Sequence, residues 1–485
     1  MGGGIYKRLP RLPLGPKNGC LFTLLFFSCW RMRSWNFANS GIELRCTALQ
    51  SGGMEFPRSL LCLGLLTFAH ADAAEKPRPL MRDFMGLNGH TVQFKPALYA
   101  PVVKLVRDYH PIVWDLGEET SFSTTFPMAR NRVDWSQVYG SWLKAGMRVD
   151  ACLMFDDLAP ALWKDPARDA AAYGEAFARA FGPGSTALVE SAEIGNEPGK
   201  YSDAEYRRIF EAMAGGLRKG DPGMRIACCA ANLGPSGRYS KSVDCLSGLE
   251  SLYDIVNIHL YAEVEGWPTW RRSFPEDPKI EFLKHLHSVL DWRAEHAPGK
   301  ELWLTEFGWD ASSKPAPASG TFAKWEGNTE TQQAQWIVRA WMIAAGLGLD
   351  RAYLYFFNDE DQPQIHGSSG LTRKFQPKPA YHAAAWLQRS LGDYRFSRVV
   401  REEVAESFVY EFTQATEPGK RLIAVWKATG EPALTTVKVA LGRVVRAERM
   451  PLSEAPAERI EVQVNKDGLI ELSADGSPVF VWMEE

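Results

Sequence analysis

Two short segments of the chain each place a glutamate at the end of a run of apolar residues. The first is GNEP at 195–198, which follows ALVESAEI, and the second is LTEFGW at 304–309, which follows ELW. A strand that delivers a carboxylate at its C-terminal tip is how parallel α/β barrels build active sites. Two carboxylates from different strands, here Glu197 and Glu306, could serve as proton donor and nucleophile in the cleavage of a glycosidic bond.

The two segments resemble the catalytic strand ends of clan A of the glycoside hydrolases, the retaining (β/α)8-barrel enzymes. In that clan an Asn-Glu pair ends strand four and a second Glu ends strand seven, and Asn196, Glu197 and Glu306 match those positions. The resemblance covers roughly residues 83–392, and families 39 and 5 are nearest in pattern. It implies that Glu197 is the acid/base, that Glu306 is the nucleophile, and that Asn196 donates to the sugar 2-hydroxyl; the alternative for Asn196 is a loop-holding role.

The segment DIVNIHLY at 254–261 resembles the clan's sixth strand, whose His and Tyr flank the nucleophile. His259 and Tyr261 alternate with Leu260, so both side chains point to the same side of a strand. If that side is the mouth of the barrel, they lie beside Glu306, and Tyr261 helps to keep it ionised. If it is the helix-facing side, they belong to the core, although a polar His argues against that position.

Other polar and aromatic residues at the predicted strand ends are candidates for sugar binding, each with a loop or packing role as the alternative. Trp rings in particular can stack on sugar faces. Many clan A enzymes place a Trp on strand eight, whereas this chain has YLYFFND at 353–359, where Phe356 or Phe357 could replace it. The candidates are Asn88, His90, Asp115, Trp267, Trp270, Trp309, Trp325 and Phe356.

The composition excludes several classes of partner. The net charge of −3 and a charged fraction of 23% give no basic surplus for nucleic acid. No spacing of the 9 His and 8 Cys indicates a zinc site, so neither a metal nor a cofactor is predicted. The acidic run at 359–361 is interpreted as a solvated loop, with a calcium contact as the alternative. The predicted partner is a carbohydrate, with no stable membrane insertion, and the oligomeric state stays open.

From residue 83 onward, strand-length apolar runs alternate with amphipathic helices, the pattern of a parallel sheet wrapped by helices. The number of strand candidates, eight, is the number a closed (β/α)8 TIM barrel requires. The strand candidates are 84–87, 111–115, 148–155, 188–194, 225–230, 255–260, 302–305 and 352–356. The clearest helices are 169–181, 204–219, 280–296, 330–346 and 379–391.

The two ends of the chain differ from this α/β pattern. Residues 393–485 hold short, partly alternating apolar runs, which predict a small antiparallel β-sandwich behind a barrel at 79–392. Residues 1–73 are interpreted as a leader, in which 54–73 has the features of a signal peptide and 1–53 is an over-long gene model. The alternative is one long atypical leader that uses the apolar run at 20–30. In the exported protein that this implies, Cys228 or Cys229 could pair with Cys245.

The predicted function is therefore that of a secreted or periplasmic retaining glycoside hydrolase acting on β-linked oligo- or polysaccharides. Loops with several Trp residues after strands six and seven favour an open cleft and endo action over removal of single terminal sugars. The alternatives are a non-catalytic carbohydrate-binding protein on the same scaffold, a transglycosylase that uses the same residues, and a metal-dependent hydrolase. The last is opposed by the lack of His/Asp clusters at strand ends.

Overall fold

Eight parallel strands close into a barrel in the computed structural model, which describes residues 77–90, 95–121, 123–429, 433–438, 442–466 and 469–485. The strands are β1 (Met85–Gly89), β2 (Leu105–Pro111), β3 (Arg148–Met154), β4 (Ser191–Ile194), β5 (Arg225–Asn232), β6 (Ile255–His259), β7 (Glu301–Phe307) and β8 (Arg351–Leu354). Each strand pairs with its successor, and β8 pairs with β1. The predicted (β/α)8 barrel is confirmed.

Helices surround the barrel and cover its apolar outer surface. They are α1 (Met81–Phe84), α2 (Pro96–Tyr99), α3 (Ile112–Leu116), α4 (Trp135–Lys144), α5 (Pro166–Phe181), α6 (Asp203–Gly220), α7 (Phe282–His296), α8 (Glu330–Leu347) and α9 (Pro379–Leu391). Helix α6 shows why they form where they do. Ser202 and Glu205 make a reciprocal capping box at its start, and residues such as Tyr206, Phe210 and Met213 recur at helical spacing on its buried face.

The predicted second strand was wrong. Residues 111–115 were expected to be a strand, but Ile112–Leu116 is the short helix α3, and the strand is Leu105–Pro111. The true strand was overlooked because it contains Arg107 and Asp108, which are both 0% exposed. Charged residues oppose burial unless they are paired, so a search for apolar runs passes over a strand that carries Arg107, whose guanidinium pairs with Glu193 inside the barrel.

The C-terminal residues form two antiparallel sheets that pack face to face, as predicted for a β-sandwich. The strands are β9 (Tyr394–Glu402), β10 (Phe408–Gln414), β11 (Lys420–Trp426), β12 (Ala433–Lys438), β13 (Arg443–Arg449), β14 (Glu458–Arg459), β15 (Gln463–Val464), β16 (Leu469–Ala474) and β17 (Val479–Glu484). Val409 and Val425 of one sheet pack with Val437 and Leu472 of the other. The outer face of the larger sheet packs on the barrel helices, where Trp386 stacks on Phe480 at 4.2 Å.

A buried ion pair joins the barrel to the β domain. Glu276, in the loop after β6, accepts a hydrogen bond from Arg339 Nε on α8 at 2.8 Å and from Trp426 Nε1 on β11 at 2.6 Å. Arg339 also donates to the carbonyl of Ala428 at 3.2 Å. Three separate parts of the chain therefore meet at one carboxylate, and the β domain supports the loop that carries Tyr261 and Trp270.

Replacing Trp426 by Phe should destabilise the protein by about 2 kcal/mol, because it removes a hydrogen-bond donor from a buried carboxylate. Urea unfolding followed by tryptophan fluorescence and circular dichroism would measure this. Trp482→Phe is the matched control, since that ring packs on Phe480 and Arg446 within the β domain. An equal loss of stability in the two variants would show that ring size, not the bond to Glu276, matters.

Cys152, Cys228, Cys229 and Cys245 are all free and buried, so the disulfide left open by the sequence is not formed. None of the described helices is both long and apolar enough to cross a membrane. The leader at 1–73 lies outside the described residues.

Candidate active site

Glu197 and Glu306 come together at the C-terminal end of the barrel. Strand β4 stops at Ile194, and Gly195 then adopts a left-handed backbone with φ of +81°, which turns the chain so that Asn196 and Glu197 follow at the barrel mouth. Glu306 lies one residue before the end of β7. A carboxylate oxygen of each glutamate and a ring nitrogen of His259 all lie within 4.8 Å of one another.

Glu306 is buried and surrounded by donors. Its Oε1 accepts from Tyr109 at 2.6 Å and from Arg107 Nη1 at 3.1 Å, and its Oε2 accepts from the hydroxyl of Tyr261 at 3.0 Å. Burial alone would raise the pKa of this carboxyl, but His259, Arg107 and Tyr109 outweigh burial and lower the pKa to about 2. Glu306 is therefore an ionised carboxylate at neutral pH, which is the state that a nucleophile needs.

Glu197 is the more accessible of the two carboxylates, with 26% of its side chain exposed against 8% for Glu306. Its Oε1 lies 2.9 Å from Nδ1 of His259, which is also 3.6 Å from Oε2 of Glu306. Burial lowers the pKa of His259, but the charge of Glu306 and the bond to Glu197 more than offset this and raise it. Since Glu306 holds no proton at neutral pH, any proton delivered to a substrate must come from the Glu197 side of the cluster.

Arg107, which sequence analysis missed, organises the site from inside the barrel. It makes two bonds to Glu193, at 2.7 and 2.8 Å, and further bonds to Asn88, Asn196 and Glu306. Arginine can only donate, so the Asn196 oxygen must face it, at 2.8 Å. The Nδ2 amino group of Asn196 is then the end of the side chain that can donate to a ligand.

A cavity of about 980 Å³ opens around the two glutamates. Of the predicted binding residues, Asn196, His259, Tyr261, His90 and Trp270 line it. The lining residues that sequence analysis did not single out are Tyr109, Pro111, Trp114, Met154, Asp157, Arg238, Tyr239, Ser240, Glu263, Thr321, Phe322, Tyr355, Ile365 and His366. Most of these lie in loops after the strands, where no periodic pattern marks a residue as facing a ligand.

Three aromatic predictions need correction. Trp309 is only 1% exposed and donates to the carbonyl of Ser273, so it is a core residue and not a stacking platform. Trp325 is likewise buried, at 6% exposure. Trp267 is 63% exposed and does not line the cavity itself, but its ring centroid lies 6.4 Å from that of the cavity residue Trp270, so its stacking role stays a prediction. Phe356 packs against the rings of His90 and Tyr355, and Tyr355 takes the place at the cavity that was predicted for Phe356.

Asn88 and Asp115 were predicted to bind sugar, but both are buried away from the cavity. Asn88 donates to the carbonyls of Thr305 and Leu354, which ties β1 to β7 and β8. Asp115 lies on α3 and accepts from Trp135 Nε1 and the hydroxyl of Tyr173, with His110 at 2.7 Å. Their polar side chains satisfy buried backbone and ring groups, a role that residue type alone does not distinguish from ligand binding.

Three residues of the site are potential metal ligands. Glu197, His259 and Glu306 are close enough to share an ion, but Glu306 already accepts three protein donors, and one of these is the Arg107 cation. A fixed positive charge at the carboxylate opposes a second cation. These residues therefore do not fit a metal site.

The acidic run at 359–361 is only partly the solvated loop that was predicted. Asp359 and Asp361 are 1% and 5% exposed. Lys378 Nζ donates to Asp359 at 3.0 Å, and the hydroxyls of Ser312 and Ser313 donate to Asp361. Protein donors thus occupy both carboxylates.

His90 and His366 should make the protein less stable in mild acid. Although part of each ring faces the cavity, burial lowers the pKa of each to about 4, against about 6.5 in an unfolded chain. The unfolded state therefore binds more protons below pH 6.5, and stability falls as the pH drops from about 6.5 to 4. His366→Gln should reduce this slope by about 1 kcal/mol per pH unit, as measured by urea unfolding at several pH values. The exposed His296→Gln is the control and should leave the slope unchanged.

No family model and no curated protein matches the sequence. Solved structures do match: a family 39 glycoside hydrolase from Bacteroides cellulosilyticus WH2 is 18% identical with a TM-score of 0.63, over 84% of this chain and 81% of that chain. A family 30 subfamily 8 xylanase from Clostridium acetobutylicum is 12% identical with a TM-score of 0.55, over 84% and 97%. A family 51 α-L-arabinofuranosidase from Bifidobacterium longum is 12% identical with a TM-score of 0.55, over 85% and 98%. In fold, the chain is similar to the clan A glycoside hydrolases.

Proposed function

We propose that the protein is a retaining glycoside hydrolase. The observation that carries this proposal is the pair Glu197 and Glu306, whose oxygens lie within 4.8 Å of each other in a cavity at the C-terminal end of the barrel. Retaining enzymes hold their carboxyl groups about 5–5.5 Å apart, whereas inverting enzymes leave about 6.5–9.5 Å for a water molecule. The short separation supports double displacement.

In the first step, Glu306 attacks the anomeric carbon while Glu197 protonates the departing glycosidic oxygen. Glu306 suits this role because it is ionised and held by Arg107, Tyr109 and Tyr261. In the second step, Glu197 takes a proton from water, which attacks the same carbon and releases Glu306. Asn196 Nδ2 would donate to the sugar 2-hydroxyl, a bond that strengthens in the transition state.

The proposed substrate is a chain of β-linked sugars. Aromatic side chains lie along its wall after several strands: Trp114 after β2, Tyr239 after β5, Trp270 after β6 and Phe322 after β7. Such rings offer apolar faces to sugars on more than one side of the catalytic pair. Structures with the same fold include a bifunctional glucanase-xylanase, which favours glucose or xylose units. Endo action follows as part of the proposal.

Two other functions would use the same cavity. A transglycosylase would form the same intermediate on Glu306 and pass it to a sugar hydroxyl. A non-catalytic binding protein would have no use for a buried carboxylate that is kept ionised by three donors, so the site favours catalysis.

A substrate panel tests the proposal. The purified protein, Glu197→Ala and Glu306→Ala would be assayed on aryl glycosides and on soluble β-glucans and xylans. Hydrolysis by the unsubstituted protein alone, with a first-formed sugar of unchanged anomeric configuration by NMR, is the expected result. An inverted first product would contradict double displacement. Release of only monosaccharide, with no early fall in polymer length, would contradict endo action, and transfer to added sugar would indicate a transglycosylase.

We also propose that the protein is exported, on the basis of the signal-peptide features at 54–73. Expression from Met54 should yield a mature N-terminus close to Asp72 or Ala74. Peptide mapping of the exported protein would check this, and recovery of residues 1–53 in the mature chain would contradict it.

A further inference from the structure

Asp156, two residues beyond the end of β3, holds the backbone of the segment that carries Glu197. Its Oδ2 accepts from the backbone N–H of Asn196 at 3.1 Å, and its Oδ1 accepts from the backbone N–H of Glu197. One carboxylate therefore accepts hydrogen bonds from two consecutive peptide N–H groups. These groups lie about forty residues further along the chain, just after β4. A single residue fixes both the position and the direction of the chain at Glu197.

The same segment is held on its other side by backbone bonds. Gly195 N–H donates to the carbonyl of Leu153 at 3.0 Å, and the carbonyl of Asn196 accepts from Ala230 N–H at 3.0 Å. These bonds tie the segment to β3 and β5 but leave the N–H of Glu197 to Asp156. Because Gly195 is left-handed, at φ +81°, the chain turns sharply just before this point, and Asp156 fixes the chain where it leaves the turn.

The position of Asp156 disfavours the ionised form of its carboxyl group. Burial raises its pKa to about 6, although the two backbone N–H groups and a further backbone bond act to lower it. Its neighbour Asp157 lines the cavity, but Asp156 is not among the lining residues. Any effect of Asp156 on a bound sugar therefore passes through Glu197 and Asn196.

We propose that Asp156 is a positioning residue that holds the carboxyl group of Glu197 in reach of the glycosidic oxygen. The inference rests on the proposed role of Glu197 as general acid. The positioning role has a specific kinetic consequence, because proton donation speeds cleavage of the glycosidic bond only when the leaving group is a poor one. A misplaced acid slows the cleavage of a sugar or alkyl leaving group, whereas an acidic phenol departs without help.

The test compares two substrates of the sugar that the panel identifies, its disaccharide and its 2,4-dinitrophenyl glycoside. In Asp156→Ala, kcat/KM for the disaccharide should fall by about 10²-fold, the scale of a displaced catalytic group, and for the dinitrophenyl glycoside it should change only a few-fold. Asp156→Asn keeps one acceptor oxygen and should fall between Asp156→Ala and the unsubstituted protein. This milder variant keeps the test available if the alanine variant does not fold.

Asp221 provides the matched control. It is a buried Asp whose two oxygens accept from the backbone N–H groups of Gly184 and Gly223, at 2.7 and 2.8 Å, but unlike Asn196 and Glu197 these two glycines do not line the cavity. Asp221→Asn should lower the melting temperature with no dependence on the leaving group. Equal losses on both substrates in the Asp156 variants would overturn the inference and leave a structural role. If the loss of kcat/KM in Glu197→Ala did not depend on the leaving group, the role of Glu197 as general acid and this inference would both fail. If the loss depended on the leaving group in Glu197→Ala but not in the Asp156 variants, only the inference would fail.

Discussion

Glu306→Ala should lower kcat/KM by on the order of 10⁴-fold or more, the scale seen when a covalent nucleophile is removed. The carboxylate has the properties that the first step requires, since it is buried, ionised and fixed by Tyr109, Tyr261 and Arg107. Steady-state kinetics on an activated aryl glycoside would measure the loss. Glu301→Ala is the matched control, because Glu301 begins the same strand at the opposite end of the barrel, where it pairs with Arg225 at 2.6 Å. That variant should retain activity at temperatures where it is folded.

Azide can then separate the roles of the two glutamates. In Glu306→Ala, azide can occupy the vacated space and attack the anomeric carbon directly, so it should restore turnover and give a glycosyl azide of inverted configuration. In Glu197→Ala, Glu306 still forms the glycosyl intermediate, and azide then opens it from the other face to give a retained product. The opposite pairing of variants and products would reverse the roles assigned here, and NMR of the glycosyl azides would decide.

The two glutamates could be predicted because their signal is local. Each comes shortly after an apolar run and has a Gly or Pro within the next two residues, so the strand and its end are visible in a few residues. The same reasoning found His259 and Tyr261 through their alternation on β6. Barrel closure also followed from a repeating pattern of strand and helix, which depends on hydrophobic spacing alone.

Arg107 and Tyr109 could not be found in this way. They lie on a strand whose charged residues hide its pattern, and their partners are remote: Glu193 is 86 residues from Arg107, and Glu306 is 199. The errors over Trp309 and Asn88 have a related cause. A Trp or Asn after a strand can face the cavity or the core, and the direction depends on tertiary contacts, such as Trp309 with Trp336, that the local sequence does not contain.

Arg107→Met should destabilise the fold by about 3–5 kcal/mol, because it leaves the fully buried Glu193 without its charged partner. Arg107→Met/Glu193→Leu removes both charges and should recover most of that loss, since replacing a buried ion pair by apolar residues is often neutral. Urea unfolding of the single and double variants would measure this coupling. If the double variant were no more stable than Arg107→Met, the Glu193 pair would not be the source of the loss.

The recovered double variant should still be a poor catalyst. Arg107 also donates to Asn196 and Glu306, and neither bond returns with Glu193→Leu. Without the guanidinium, one of the charges that lowers the pKa of Glu306 is gone, so that pKa rises. Because the nucleophile must be ionised, the acid limb of the pH profile of kcat/KM should move to higher pH. Arg107→Lys keeps the charge but loses the two-pronged geometry, so it should shift the acid limb less while still lowering kcat. A double variant with an unchanged acid limb would show that Arg107 supports the fold without tuning Glu306.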